Sequence, residues 1–249
     1  MNTHNLDAQN MTPRRIATPL GSIYCVAGGA GAPLLILHST PNSHTQFAPL
    51  LPLLMPFYRV IAPDTLGFGQ SDQMPLTITM EELAETMTAV LDAFGITRAH
   101  LYGFHTGNKI AAALASGHPG RVDRVILAGQ THSLIDDKIA RDAAIAPFAA
   151  KFFSKDPPAD PAAAQMWHSA GPIYRANFAF DLGAAVRRIS APTLLLEFAT
   201  PAEDHFGHQA PALAKTMPAG QGLVLENTGA QVHQQAPERI TTIVRDFFR

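Results

Sequence analysis

The segment from residue 102 to residue 108 reads YGFHTGN and places His105 midway between Gly103 and Gly107. An apolar, strand-like run precedes it, and an alanine-rich, helix-like run follows it. A strand, a tight glycine turn and a helix commonly hold a catalytic nucleophile at this middle position. An imidazole, with a pKa of about 6.5, can act there as a base or attack a carbonyl directly.

The elements around this segment alternate along the chain. Apolar runs of strand length are separated by runs with helical spacing, such as residues 79–94, which end at Gly95. A hairpin with a Gly-Ser turn is predicted between residues 15 and 27. This alternation predicts a mostly parallel sheet with helices on both faces. The other predicted strands cover residues 33–38, 58–62, 99–102, 122–128, 192–198 and 222–226.

The alternation stops between residues 131 and 190. Alanine, proline and aspartate are frequent there, and the stretch contains the only tryptophan, Trp167, together with phenylalanines that include Phe152 and Phe153. Aromatic side chains are usually buried, so we predict an inserted helical lid rather than a linker. The lid aromatics would wall a pocket for a small, fairly apolar molecule. Residues 1–249 are expected to form one domain that includes this lid.

The composition limits the classes of function. The chain has 249 residues, a net charge of −2, 47% apolar and 15% charged residues, and no long apolar or basic run. We therefore expect no nucleic-acid partner, no membrane span and a cytoplasmic location. A small-molecule substrate is the expected partner, and a homodimer is compatible with the sequence. Cys25 is the single cysteine, and no GxGxxG or P-loop motif occurs, so no cofactor is predicted.

Four motifs follow one another in a recognisable order. They are HSTP at 38–41, DTLGFGQS at 64–71, GFHTG at 103–107 and GAQVHQQAPE at 229–238. With the run PTLLL at 192–196, they resemble the α/β-hydrolase superfamily, in the branch of epoxide hydrolases, haloalkane dehalogenases and C–C bond hydrolases. The resemblance implies an α/β-hydrolase fold, a mostly parallel sheet with helices on both faces and an inserted helical lid.

The resemblance also implies site residues. His105 occupies the nucleophile position, and the backbone N–H groups of Thr40 and Thr106 would form the oxyanion hole. Ser39 stands where the family usually has glycine. His38, Ser39, Phe104, His132 and Trp167 are the predicted substrate-binding residues. Because the nucleophile position holds neither serine nor aspartate, a serine-esterase mechanism and a dehalogenase or epoxide-hydrolase mechanism are both excluded.

The late catalytic residues depart from the family pattern. Ala230 stands at the histidine position, and His233 matches an auxiliary histidine three residues later. Pro201 stands at the acid position. Glu203 and Asp204 lie just beyond it, and we take Asp204 as the candidate acid and His233 as the second base.

Three interpretations of His105 remain open. In the first, His105 replaces serine in cleaving an ester, a lactone or a C–C bond of a small apolar carbonyl compound, or it supports cofactor-free lyase or decarboxylase chemistry. In the second, the protein binds a small molecule without turnover. In the third, histidines hold a metal, but no tight histidine spacing occurs, and no metal ligand is predicted.

Overall fold

The computed structural model describes residues 11–150 and 159–249, so the predicted lid residues Phe152 and Phe153 lie outside the described residues. Within these ranges, eight strands form one sheet in the order β1-β2-β4-β3-β5-β6-β7-β8. The strands are β1 Thr12–Thr18, β2 Gly21–Gly28, β3 Ala32–Leu37, β4 Tyr58–Pro63, β5 Ala99–Phe104, β6 Val122–Gln130, β7 Thr193–Phe198 and β8 Gly220–Leu225.

The sheet is parallel from β4 to β8 and antiparallel at its first edge. Strand β2 runs antiparallel to both β1 and β4, and all other neighbours run parallel. The predicted parallel sheet and amino-terminal hairpin are therefore confirmed. The hairpin turn is at Pro19 and Leu20, because Thr18 pairs with Gly21. The sequence had placed this turn two residues later, at Gly21 and Ser22, which instead begin β2.

Helices follow most strands and cover the sheet. The α-helices are α1 Leu51–Leu54, α2 Met80–Ala93, α3 Thr106–Gly117, α4 Lys138–Ala149, α5 Pro161–Ala179, α6 Leu182–Val186, α7 Ala210–Ala214, α8 Val232–Gln235 and α9 Pro237–Phe248. Helix α2 begins with a capping box in which Thr79 and Glu82 satisfy each other's backbone N–H groups. It ends before Gly95, whose φ is +67°. None of the helices in the described ranges is long and apolar enough to cross a bilayer.

Two hydrophobic cores lie on opposite faces of the sheet. Strand β3 contributes to both, because successive side chains point to opposite faces. Leu35 and Leu37 pack in one core with α2 and α3, and Leu34 and Ile36 pack in the other with α9. Burial on both faces explains why the central strands read as continuous apolar runs.

Helical structure occupies most of the interval between β6 and β7. A 3-10 turn at Thr131–Leu134 leads to α4, α5 and α6. Two of these helices line a cavity at the carboxyl edge of the sheet through Ile145, Phe148, Tyr174 and Asn177. The helical character predicted for residues 131–190 is confirmed where the structure describes it. The role of these helices as a lid stays a prediction, as does the single-domain boundary.

Candidate active site

A sharp turn joins β5 to α3, and His105 is at its centre. Its backbone has φ 50° and ψ −109°, a region that residues other than glycine seldom adopt. The flanking glycines let the strand and helix approach closely. A Cβ on Gly103 would lie 2.3 Å from the Gly107 carbonyl oxygen, and one on Gly107 would lie 2.2 Å from the Leu37 carbonyl oxygen. Since neither contact is tolerable, both positions require glycine.

The imidazole of His105 borders a cavity and has no hydrogen-bond partner among the residues described. Its ring packs on Phe104, with centroids 4.3 Å apart, and stacks on His132 at 5.3 Å with 30° between the planes. Burial is the main cause that lowers the pKa of His105 well below its usual range. At neutral pH the ring is therefore uncharged and keeps a nitrogen lone pair.

The second histidine of this stack is oriented by a carboxylate. His132 is buried in the 3-10 turn after β6, and its Nδ1 donates a short hydrogen bond to Oε1 of Glu203, in the turn after β7. Phe148 also stacks on the His132 ring, with centroids 5.0 Å apart and 21° between the planes. This bond to Nδ1 leaves Nε2 as the nitrogen that can exchange protons in the cavity.

Two backbone N–H groups remain available beside the β5–α3 turn. In the described part of the chain, neither Thr40 N–H nor Thr106 N–H donates a hydrogen bond. The loop of Thr40 is held by Gln46, whose Oε1 accepts from Ser39 N–H at 2.9 Å and from Ser39 Oγ at 3.1 Å. Two such donors can bind the oxyanion of a tetrahedral intermediate.

His38 stabilises the same loop through two hydrogen bonds of its ring. Its Nε2 accepts from Thr65 N–H at 2.9 Å, so its ring proton lies on Nδ1 and is donated to the Ser39 carbonyl, also at 2.9 Å. His38 is buried and does not line the cavity, whereas Ser39 does. The structure therefore assigns His38 a supporting place rather than the predicted contact with substrate.

The cavity has a volume of about 240 Å³, and polar and apolar atoms contribute about equally to its wall. The expectation of an apolar, aromatic pocket differs from this wall, which has only a few apolar members: Ile145, Phe148, Tyr174 and Ala230. Most of the other described residues that line the cavity carry hydroxyl, amide or imidazole groups: Ser39, Thr40, Asn42, Gln46, His105, Thr106, Gln130, His132, Ser133, Asn177, Gln231 and Gln234.

Several predicted site residues lie outside the described wall of the cavity. Phe104 is in the sheet core, and Trp167 is partly buried on α5 without reaching the wall. Asp204 is exposed, and no hydrogen bond of its side chain reaches either histidine. The carboxylate next to the stack belongs to Glu203, which is buried. Glu203, rather than the predicted Asp204, is therefore the carboxylate that lies beside the two histidines.

His233 is a core residue. It is fully buried among Phe47, Phe104 and Phe198, and its Nε2 is 2.7 Å from the Tyr102 hydroxyl. Burial raises the pKa of Tyr102, which keeps its proton and donates it to His233. Burial also lowers the pKa of His233 to about 3. His233 does not line the cavity, so it is misplaced for the predicted role of second base.

The comparisons with known proteins agree with this architecture. The family model described as "alpha/beta hydrolase fold" matches residues 32–248. The chain belongs to the α/β-hydrolase family. A 2-hydroxymuconate semialdehyde hydrolase of Pseudomonas sp. strain CF600 is 40% identical over 105 residues, which are 41% of this chain and 37% of that relative. A pyrrolizixenacetamide deacetylase of Xenorhabdus hominickii is 26% identical over 253 residues, covering 90% and 93%.

Solved structures agree on the fold. A thermophilic esterase from Thermogutta terrifontis superposes with a TM-score of 0.75 at 23% identity, covering 96% of this chain and 98% of that one.

In this α/β-hydrolase, the described ranges contain no group of three or more His, Cys, Asp or Glu side chains placed to hold a metal ion.

Two residues at the site were missed from the sequence. Glu203, the neighbour of the candidate acid Asp204, is the residue that contacts His132, and Lys109 was not among the predicted site residues. Lys109 instead lines the cavity, with Nζ 2.7 Å from the Ser133 carbonyl oxygen and 2.6 Å from Ser133 Oγ. The signal for Lys109 was available, because it follows His105 by four residues at the start of a helix, and that spacing puts two side chains on one face.

Proposed function

We propose that this α/β-hydrolase cleaves a small carbonyl compound, namely an ester, a lactone or an activated C–C bond, with His105 as nucleophile. The His132–Glu203 pair is its acid–base partner. One observation carries the proposal: the imidazole of His105 at the β5–α3 turn stacks on a second imidazole, His132, that the buried carboxylate of Glu203 orients. The names of the deacetylase and semialdehyde hydrolase relatives support the same reaction class.

The proposed first half of the reaction transfers the acyl group to His105. The free lone pair of its neutral ring attacks the carbonyl carbon, and the oxyanion accepts hydrogen bonds from Thr40 and Thr106 N–H. Collapse of the intermediate breaks the bond to the leaving group. The ring proton of His105 passes through Nε2 of His132 to that leaving group, so the products are an acyl-imidazole and a neutral alcohol or carbon acid.

The second half is hydrolysis of the acyl-imidazole. His132 Nε2 takes a proton from water as the water attacks, and Glu203 stabilises the imidazolium that forms. The proton then goes to His105 as the acid product leaves. Acyl-imidazoles are reactive, so a histidine nucleophile turns over without a separate activating base for the attack step.

The cavity also defines the substrate class. Its volume of about 240 Å³ is below the usual range of about 300–1,000 Å³ for ligand pockets, so the substrate is small. Amide and hydroxyl groups on the wall, including Asn42, Gln130 and Asn177, need polar partners in a bound molecule. The substrate is therefore proposed to carry oxygen or nitrogen groups beyond the reacting carbonyl, which revises the apolar substrate expected from the sequence.

The test is hydrolysis of p-nitrophenyl acetate and small lactones by the wild-type protein and by His105→Ala. We expect kcat/KM to fall about a thousandfold in the variant. Rapid quenching and mass spectrometry should find the acyl group on His105. His205→Ala, at an exposed histidine in the turn that carries Glu203, should keep full activity. Equal activity in His105→Ala and the wild-type protein would remove His105 from the reaction.

A second candidate function is binding without turnover. It is favoured by Ala230, which lines the cavity at the position where the family resemblance implies a catalytic histidine. No hydrolysis of any substrate by the wild-type protein, combined with equal ligand affinity in His105→Ala, would support this candidate over the enzyme.

A further inference from the structure

Lys109 is a buried amine in the wall of the same cavity. Its side chain is among the largest fully buried ones, and it lies one helical turn after His105. Lysine is seldom fully buried unless it is paired with an acid. Here the described residues provide no carboxylate within hydrogen-bonding distance of Nζ. A buried lysine without a counter-ion that borders a cavity needs a chemical explanation.

The hydrogen bonds of Nζ fit an uncharged amine. Ser133 offers two acceptors, its carbonyl oxygen at 2.7 Å and its Oγ at 2.6 Å. An NH₂ group has two hydrogens to donate and one lone pair, so these two bonds satisfy it fully. An NH₃⁺ group would carry a third hydrogen for which the described residues supply no acceptor, so the protein itself satisfies the neutral amine better.

The electrostatic surroundings point the same way. Burial is the main cause that lowers the pKa of Lys109 well below its usual range, and the cationic side chain of Arg141 lowers it further. Asp142 acts in the opposite direction but lies nearer to Arg141 and Lys138, with which it forms ion pairs. Arg141 is itself fully buried, and its guanidinium donates to the carbonyls of Asn177 and Phe180. A lysine that is desolvated beside another cation is an established type of imine-forming nucleophile.

We propose that Lys109 forms a reversible imine with small aldehydes or ketones that enter the cavity. This is a second carbonyl chemistry at the same wall, and it requires neither His105 as nucleophile nor hydrolytic turnover. It would support cleavage or decarboxylation next to a carbonyl group, because the imine, once protonated on nitrogen, accepts the electron pair of a breaking C–C bond better than the carbonyl does.

The step balances without an oxidant, a reductant or a cofactor. The Nζ lone pair attacks the carbonyl carbon, and one amine proton moves to the oxygen to give a carbinolamine. The C–O bond then breaks, and the oxygen leaves as water with both original amine hydrogens. His132 lines the same cavity with an available Nε2 and can carry these protons between nitrogen and oxygen.

Reductive trapping tests the proposal. The purified protein is incubated at pH 7 with propanal or 2-butanone and sodium cyanoborohydride, and the modified lysine is located by peptide mass spectrometry. Lys109 should be modified at least about tenfold faster than exposed lysines such as Lys215. The adduct should also form in His105→Ala, so failure of the hydrolase mechanism and failure of the imine would be distinguished.

Two variants complete the test. Lys109→Arg should lose the fast adduct while keeping its circular dichroism spectrum, and Lys109→Met supplies an uncharged alternative if the arginine variant does not fold. Lys215→Arg is the matched surface control and should keep the fast adduct. Modification spread evenly over the exposed lysines, or fast trapping that survives both Lys109 variants, would overturn the proposal.

Discussion

His132 and Glu203 form a hydrogen-bonded pair across two neighbouring parallel strands, since His132 follows β6 and Glu203 follows β7. The carboxyl ends of these strands meet at the same edge of the sheet, next to the turn after β5. The pair thus reaches His105 without any residue from the segment after β8, where the family resemblance implies a histidine.

Ester hydrolysis is expected to depend on the carboxylate of Glu203 and not on that of Asp204. Glu203→Gln removes the charge that stabilises an imidazolium on His132, so kcat for ester hydrolysis should fall about 10²-fold or more. Asp204→Asn is the matched control at an exposed position and should leave kcat within about twofold of the wild-type value. The reverse order of effects would restore Asp204 as the acid.

The position of the Thr40 N–H group should depend on the side-chain amide of Gln46. Gln46→Leu removes the acceptor of both Ser39 N–H and Ser39 Oγ, leaving a buried donor unpaired at a cost of about 1–3 kcal/mol. Because Thr40 N–H is then less well positioned, kcat should fall more than KM rises. Ser43→Ala removes only the cap of the same 3-10 turn and should reduce stability without this loss of kcat. Steady-state kinetics on both variants decides the point.

Replacing Gly107, at the β5–α3 turn, should strongly destabilise the fold. In Gly107→Ala the new methyl would lie 2.2 Å from the Leu37 carbonyl oxygen, so we expect a loss of about 3 kcal/mol or more in unfolding free energy. Gly117→Ala, near the other end of the same helix, meets nothing within 4 Å and should stabilise the fold by up to about 1 kcal/mol. Urea unfolding of both variants measures this contrast, and equal stabilities would contradict the close approach.

Stability should fall in acid because of His233. Its pKa in the folded protein is about 3, against 6.5 when unfolded. Between these values the unfolded chain binds the proton more readily, so the stability from the neutral ring is present above pH 6.5 and lost as the pH falls toward 3. His233→Gln should reduce the slope of unfolding free energy against pH by up to about 1.4 kcal/mol per unit.

Two controls accompany that measurement. His105 has a pKa shifted in the same direction, so some acid sensitivity should remain in the His233 variant. His205→Gln, at an exposed histidine, should leave the slope unchanged. If urea unfolding at pH 6.5, 5.5 and 4.5 gave the same slope for His233→Gln and the wild-type protein, burial of a neutral His233 would be refuted.

The fold and the β5–α3 turn were predictable because their signals are local. Strand and helix periodicity gave the sheet, and the two glycines around His105 gave the turn. The partner of His132 was less predictable, because Glu203 and Asp204 lie in a 3-10 turn, where consecutive side chains point about 120° apart. Two consecutive residues of such a turn can therefore differ completely in burial. Which of them is buried is decided by tertiary packing, which the local sequence does not show.

His233 shows a different limit. Its position after β8 is compatible with either a loop side chain in the cavity or a side chain in the core, and the aromatic rings that enclose it come from distant segments, through Phe47, Phe104 and Phe198. Such contacts have no signature near residue 233. The polar part of the cavity wall was missed for a similar reason, since its amide groups, among them Asn42, Gln130 and Asn177, come from segments that are far apart in the chain.

Because position 230 holds an alanine, the segment after β8 contributes no reacting group to the proposed mechanism. Every group proposed to react or to bind the oxyanion lies between Thr40 and Glu203, whereas the segment from β8 onward supplies only wall and core. The protein is therefore suited to fragment complementation. A chain ending in the loop before β8, mixed with a separate peptide carrying β8 to α9, would place all of the reacting groups on one fragment and make activity a direct readout of their reassembly.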